Sequence, residues 1–405
     1  MERMRIFISI LGLFISTFSA RAQNDGEELL PQIEIGFKTI TTGNYYSNKG
    51  KASLNIPVLN EGDRALTDFS DSYLMLGVSQ KLYKGWRGQM VLGFTFPDVN
   101  SGLGQVFYNQ VMLKVENKKN IIKLGRTTSQ TTLTGFSTFR DDDALQYNYV
   151  LNPFSTGINT QDNQYANVLE YTHVFAQRIY ATFHGENYMD FQNPNKLDIN
   201  GLGGSLVYRV PQSQVWNRNV LQQAGVSVNN FINTPVKLND ENKKTLTSLV
   251  GAATFNLKPD PVNFIDLKMQ VIHNFGLDEV KDIINYDNYT RSKGTAYFGM
   301  LRYLNRKLER PRYQVSAGFG YKNFSNVANN TNQWMFISNC FYRIGNNFDL
   351  LFQYRYNQNN GALIPLLGES QHRLQAGIAF TFNKIFNNQF DDRNSILNLE
   401  HGYIK

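Results

Sequence analysis

The stretch Gln371-His372-Arg373-Leu374-Gln375-Ala376-Gly377-Ile378-Ala379-Phe380-Thr381-Phe382-Asn383 decides the fold. Leu374, Ala376, Ile378, Phe380 and Phe382 fall on one parity; Arg373, Gln375, Gly377 and Thr381 fall on the other. Successive side chains of an extended strand point to opposite faces, so this segment is apolar on one face and polar on the other. Just upstream, Leu350, Phe352, Tyr354 and Tyr356 interleave with Asp349, Gln353 and Arg355 in the same way. So do Ile265, Leu267, Met269 and Val271 with Asp266, Lys268 and Gln270. A soluble sandwich would alternate too, its apolar face buried against a second sheet. Segment length and the rhythm of the connections separate the two architectures.

Sixteen such segments read outward from the C-terminal one, at 32–41, 71–83, 86–97, 105–116, 120–128, 165–174, 178–188, 199–210, 220–232, 245–257, 262–275, 293–304, 312–324, 332–344, 348–358 and 371–383. Lengths of roughly 9 to 14 residues suit tilted strands that cross a hydrocarbon layer. The connections 42–70, 129–164, 189–198, 233–244, 276–292 and 359–370 are long, while 84–85, 117–119, 175–177, 258–261 and 345–347 are short. Only 211–219 is long for its place in that alternation. Membrane barrels have short periplasmic turns and longer external loops, and an even strand count leaves both chain ends on the periplasmic side. The expected fold is therefore all-β, a transmembrane antiparallel up-and-down barrel of sixteen strands. In lipid every backbone N–H and C=O needs an internal partner, which a sheet supplies only by closing. Sixteen strands leave a water-filled lumen, whereas eight would be filled by side chains.

Composition agrees. Arg3 and Arg5, the apolar run 6–18 and Ala20-Arg21-Ala22 read as an export signal cut before Gln23. The expected organisation is a signal peptide at 1–22, a barrel at 23–383 and a periplasmic tail at 384–405. Beyond the signal no apolar run approaches the ~18 residues of a spanning helix. A mean hydropathy of −0.38 fits a barrel, because only alternate residues meet lipid. A single cysteine, Cys340, excludes an internal disulfide framework, and its apolar strand points to a buried or lipid-facing thiol. The net charge of +7 on an exported chain points to anionic lipopolysaccharide or to anions in a pore rather than to nucleic acid. Aromatics at strand ends (Tyr83, Trp86, Phe96, Trp334, Tyr356, Phe382) occupy the places of interfacial girdles.

Parity assigns Lys114, Lys123, Arg178, Arg209, Lys268, Arg302, Lys322, Arg355 and Arg373 to the lumen face, with Glu170, Glu186, Asp266 and Asp349. A cation facing lipid at midplane would cost ~2–4 kcal/mol, which favours the inward assignment. The five histidines show no zinc spacing; only His184 and Glu186 share a face two residues apart. No Ser-His or Asp-His group, Walker loop or dinucleotide fingerprint assembles, so neither an enzyme, a metal site nor a cofactor is expected.

Sixteen strands with one long connection after the fifth resemble the Gram-negative outer-membrane porins, general and phosphate-selective. The connection is 129–164, the longest in the chain, and the strand leading into it, Ile121-Ile122-Lys123-Leu124-Gly125-Arg126, resembles the Gly-Arg strand end of phosphate-selective porins. The resemblance implies that this loop folds into the lumen and narrows it. Arg140, Asp141, Asp142 and Asp143 would then face the basic wall and set up a transverse field, with a weak preference for anions or small polar solutes. It also implies a homotrimer in the outer membrane, and Phe380 and Phe382 resemble the aromatic signal read by the barrel-assembly machinery. The acidic loop motif of the best-known trimeric porins is not present as such, and the chain runs on past its last strand. The expected function is passive diffusion of small hydrophilic solutes. The alternative is a non-enzymatic barrel subunit that docks a periplasmic partner through its tail. N-terminal sequencing of protein recovered from outer membranes is expected to begin at Gln23; retention of residues 1–22 would contradict the export signal.

Overall fold

A computed structural model describes residues 30–50, 73–82, 85–95, 107–127, 133, 166–187, 201–210, 220–235, 243–260, 262–276, 278, 281, 292–307, 310–327, 330–345 and 347–387. Sixteen strands form one closed antiparallel barrel in which each strand pairs with its neighbours in sequence and β1 pairs with β16. They are β1 (Gln32–Lys49), β2 (Tyr73–Lys81), β3 (Arg87–Thr95), β4 (Phe107–Glu116), β5 (Asn120–Thr127), β6 (Ala166–Phe175), β7 (Ile179–Asn187) and β8 (Gly201–Arg209), followed by β9 (Leu221–Pro235), β10 (Lys243–Lys258), β11 (Asn263–Asn274), β12 (Gly294–Lys307), β13 (Arg310–Phe324), β14 (Asn332–Arg343), β15 (Phe348–Asn360) and β16 (Ser370–Phe386).

The period-two reading of the sequence becomes the inside and outside of this ring. On β15, Asp349, Leu351, Gln353, Arg355, Asn357 and Asn359 are buried within the barrel, while Phe352 is exposed on the outer face. On β16, Leu374 and Ile378 point out, and Arg373 and Gln375 point in. Phe183, Leu206, Val226, Phe319 and Phe352 are each more than half exposed, which only a lipid solvent makes favourable for such side chains. Cys340 is exposed on the outer face of β14, between Val315 and Phe352.

Aromatic rings mark both edges of the apolar band. At one edge Trp334 packs on Phe319 and Tyr356, and His372 on Tyr354 and Tyr356, with centroids 4.5 to 6.2 Å apart. At the other, Phe380 lies between Phe37 and Phe348. His372 and Phe382 are ten residues apart on β16; at ~3.3 Å per residue and ~40° of tilt they stand ~25 Å apart along the barrel axis, the height of a hydrocarbon band. Short turns close the periplasmic end. In one of them the Asp260 carboxylate accepts the Val262 and Asn263 N–H groups at 2.7 and 3.1 Å, and these bonds hold its pKa below the usual carboxylate range.

Several boundaries differ from the sequence expectation, β9 and β12 each running three residues further, and two of the differences lie at the β1–β16 seam. β1 continues through 42–49, assigned above to a loop, and β16 continues through Lys384, Ile385 and Phe386, assigned above to the tail. The two extensions have different causes. β1 stays hydrogen-bonded to β16 from Thr42↔Gly377 to Lys49↔Ser370, and only its end, Asn48 and Lys49, passes the aromatic edge at His372, where apolar alternation is no longer required. At the opposite end, Ile385 and Phe386 pair with Glu34 and Ile33. The rest of the tail, from 388, lies outside the described residues, as do Tyr83, Phe96 and the export signal. Among the described residues, β2–β8 have eight to ten each, and β9–β16 with β1 have 12 to 18.

Ile378 sits midway between the two aromatic edges of β16, on the lipid face. Ile378→Arg is expected to destabilise the folded barrel by ~2–4 kcal/mol, and Ile378→Phe by much less. Denaturant titrations in lipid vesicles measure both; equal costs would contradict the lipid exposure of this face.

Candidate functional site

The inward face of the ring carries the chemistry, and cross-strand register arranges it in pairs. Around β3 to β7, Gln89, Lys114, Lys123, Glu170 and His184 are successive Cα partners, all buried within the barrel. Lys114 and Lys123 would repel each other, but each holds a carboxylate: Lys114 Nζ lies 2.6 Å from Glu116, and Lys123 Nζ lies 2.9 Å from Glu170. At such distances inside a poorly screened interior the attraction offsets much of the cost of removing both charges from bulk water. His184 Nε2 and Glu186 are 3.6 Å apart. Gly203 and Gly201 face these two residues, and a Cβ on either glycine would collide with His184 or Glu186.

Across the lumen the same logic repeats. Arg302 grips Asp266, its partner across β11–β12, with Nε 3.0 Å from the carboxylate. Arg343 grips Asp349, its partner across β14–β15, at 2.9 Å. Arg355 and Arg373 are partners across β15–β16, and both are buried. Lys268 and Lys322 are buried on β11 and β13, and the Lys322 ammonium lies over the Phe324 ring. Arg209 closes the series at the end of β8, over Tyr180.

Of the residues assigned from parity, Arg178 alone lies off the wall: it is exposed in the three-residue turn before β7, because that strand starts one residue later than expected. Glu34, Arg87, Glu116 and Arg343 also face inward, and parity within their strands could have found them. Glu34 sits between Ile33 and Ile35 and receives a hydrogen bond from Asn383; Gln89 donates to Glu116. Among the described residues no three His, Cys, Asp or Glu side chains gather to hold a metal ion.

Arg140, Asp141, Asp142 and Asp143 lie outside the described residues. One residue of their loop does not. Leu133 is 2 % exposed and packs in a cluster with Val207, Val250, Ile272, Phe298 and Met335, all inward-facing. Its φ of 49° is left-handed, an uncommon and strained conformation for leucine. Inward-facing glycines make room around the cluster: Gly320 is the partner of both Phe298 and Met335, and Gly318 of both Met300 and Ile337.

The eighth external loop covers part of the mouth. A 3-10 turn (Gly361–Leu363) runs into a short helix, α1 (Ile364–Leu367). Leu363 and Leu366 pack onto Phe324, at the end of the inward face of β13, and onto Val327. Asn359 donates to the Gly368 carbonyl, and Lys49 at the tip of β1 pairs with Glu369 at 2.7 Å. Gly50 and Gly368, both at positive φ, let the two loop backbones approach closely.

No family model matches the chain, and no curated protein does either. Solved structures do. The chain resembles an anion-selective porin from Comamonas acidovorans at 14% identity and a TM-score of 0.59, over 87% of this chain and 100% of that one. It resembles Salmonella typhi OmpF, solved in complex with daunomycin, at 11% identity and 0.59, over 86% and 97%. It resembles the trimer form of Vibrio cholerae OmpT, an outer membrane protein, at 9% and 0.55, over 87% and 99%. At these identities the likeness is one of fold: the chain shares the closed barrel of outer-membrane porins.

Proposed function

We propose that this protein is an outer-membrane porin, a water-filled channel through which small hydrophilic solutes diffuse passively, with a weak preference for anions and no enzymatic activity. One observation carries the reading: the ring is apolar outside, while its inner face is lined with paired and clustered charges and amides from nearly every strand. A diffusion channel needs a polar path and a field across it, and no catalytic group. Lys268, Lys322, Arg355 and Arg373 on the inner face support the anion preference, as does the fold shared with a porin described as anion-selective. Leu133, buried among inward-facing side chains, supports a third loop that turns into the lumen and carries Asp141, Asp142 and Asp143 toward the basic wall. In this reading the barrel sits among outer-membrane lipid and lipopolysaccharide after insertion by the barrel-assembly machinery. It forms a homotrimer, as the trimeric OmpT form suggests.

Reversal potentials in a KCl gradient across planar bilayers test the channel and its sign together. A modest chloride preference is expected, and Asp141→Asn with Asp142→Asn and Asp143→Asn should strengthen it. Strong cation selectivity would end the anion claim, and absence of conductance would end the channel. Leu133→Asp places a charge in an apolar seat, at a cost of several kcal/mol. If the loop is anchored there, single-channel conductance and closing frequency both change; a variant that conducts like the parent protein would overturn the infolded loop.

A further inference from the structure

Beyond a general polar path, the two ends of this barrel differ in the sign of their charge. The strands run up and down in sequence order, so alternate connections lie at the same end. Counted with the three strand residues on either side, the eight external connections hold 19 acids and 13 bases; counted without those flanks, none of the eight is net basic. The seven periplasmic connections, counted with their flanks, hold 15 bases and four acids. β1 starts and β16 ends at the periplasmic side, and residues 23–34 and 384–405 bring its totals to 18 bases and 11 acids. Each count takes in every acid at its end, so ion pairs within an end leave the excess unchanged. Lys118 and Lys119 are exposed in the β4–β5 turn, and Lys81 is exposed at the end of β2. Lys81 and Arg87 are Cα partners across β2–β3, and Lys307 and Arg310 are partners across β12–β13. Like charges directly opposite each other destabilise a sheet, so its stability gives no reason for either pair.

Fixed charge at a channel mouth concentrates ions of the opposite sign there. Cations therefore gather at the external end and anions at the periplasmic end. The hydrocarbon band keeps the two ends ~25 Å apart, more than twice the ~10 Å over which charge acts in about 0.1 M salt, so each end acts separately. With the external side positive, each end feeds in the ion it has gathered, and both ions accumulate inside the channel. With the external side negative, each end must admit the ion it repels, and the channel is depleted of both. We propose that this barrel rectifies, carrying more ionic current when its external side is positive. This inference rests on the pore reading and adds a direction to its conductance.

Single-channel current–voltage curves of the full-length protein in planar bilayers test the direction. Orientation is read with Lys119→Cys in a Cys340→Ser background, biotinylated before insertion: streptavidin alters the current only from the chamber that the periplasmic turns face. In about 0.1 M KCl the current at about 100 mV is expected to be roughly twofold larger with the external side positive. In about 1 M KCl, where screening shortens to ~3 Å, the two currents should become nearly equal. Lys81→Glu, Lys118→Glu and Lys119→Glu together bring the periplasmic totals to 15 bases and 14 acids. That variant should lose most of the difference in dilute salt, while Arg at the same three positions should keep it. A conducting channel with symmetric curves in dilute salt, or with the larger current at the opposite sign, would overturn the rectification and leave the pore standing. So would a difference that survives strong salt or the three Glu substitutions. A protein that never conducts would instead overturn the pore reading, and the rectification with it.

Discussion

The seam between β1 and β16 is the constraint on which the rest of the structure depends. A sheet in lipid cannot leave an edge, because each unpaired N–H or C=O there lacks even water as a partner. The chain meets this requirement by pairing its first strand with its last from Ile33↔Phe386 to Lys49↔Ser370, the longest ladder in the barrel. Every inward-facing charge discussed above inherits its position from that closure. A slip of one residue at any ladder would exchange the two faces of a strand, sending Arg355 or Lys123 to lipid and Phe352 or Leu124 to the lumen. The cost of a cation in the hydrocarbon band fixes the register as firmly as the hydrogen bonds fix the ring.

Register then does the electrostatic work. Lys123 meets Glu170, Arg302 meets Asp266 and Arg343 meets Asp349 because each couple is directly opposite across a strand pair. Cross-strand partners are the natural unit of side-chain interaction in a sheet. In a barrel interior this unit lets many charges lie close together without a compact core. Arg355 and Arg373, like Lys114 and Lys123, are instead like charges that stand directly opposite each other.

The architecture was legible in the sequence because a two-residue period is hard to mimic. Strand number, the alternation of connection lengths and the inward parity of Lys114, Lys268, Lys322 and Arg373 all follow from it. The upper part of β1 was not legible, because Thr42, Gly43 and Asn44 interrupt the apolar alternation before Tyr45 and Tyr46. Arg178 was read as wall because one residue of boundary error moves a turn residue into a strand. Glu34 and Glu116 carried the right parity but lie near strand ends, where a pattern of few residues is weakest.

The inward apolar side chains were the least legible feature. Trp334-Met335-Phe336-Ile337 is apolar on both parities, and Met335 and Ile337 point into the barrel while Trp334 and Phe336 point out. A rule that sends apolar residues to lipid and polar ones to water cannot separate them. What resolves the ambiguity is long-range: Leu133, two hundred residues earlier in the chain, meets Met335 only once the ring has closed. Gly318 and Gly320 acquire their meaning in the same way, as clearance for Met300, Ile337, Phe298 and Met335 on either side. An apolar patch on a wet wall is unfavourable when exposed, so its presence argues for a covering contributed by the chain itself. Closing the ring thus does more than satisfy backbone hydrogen bonds. It also builds the apolar seat on which Leu133 rests.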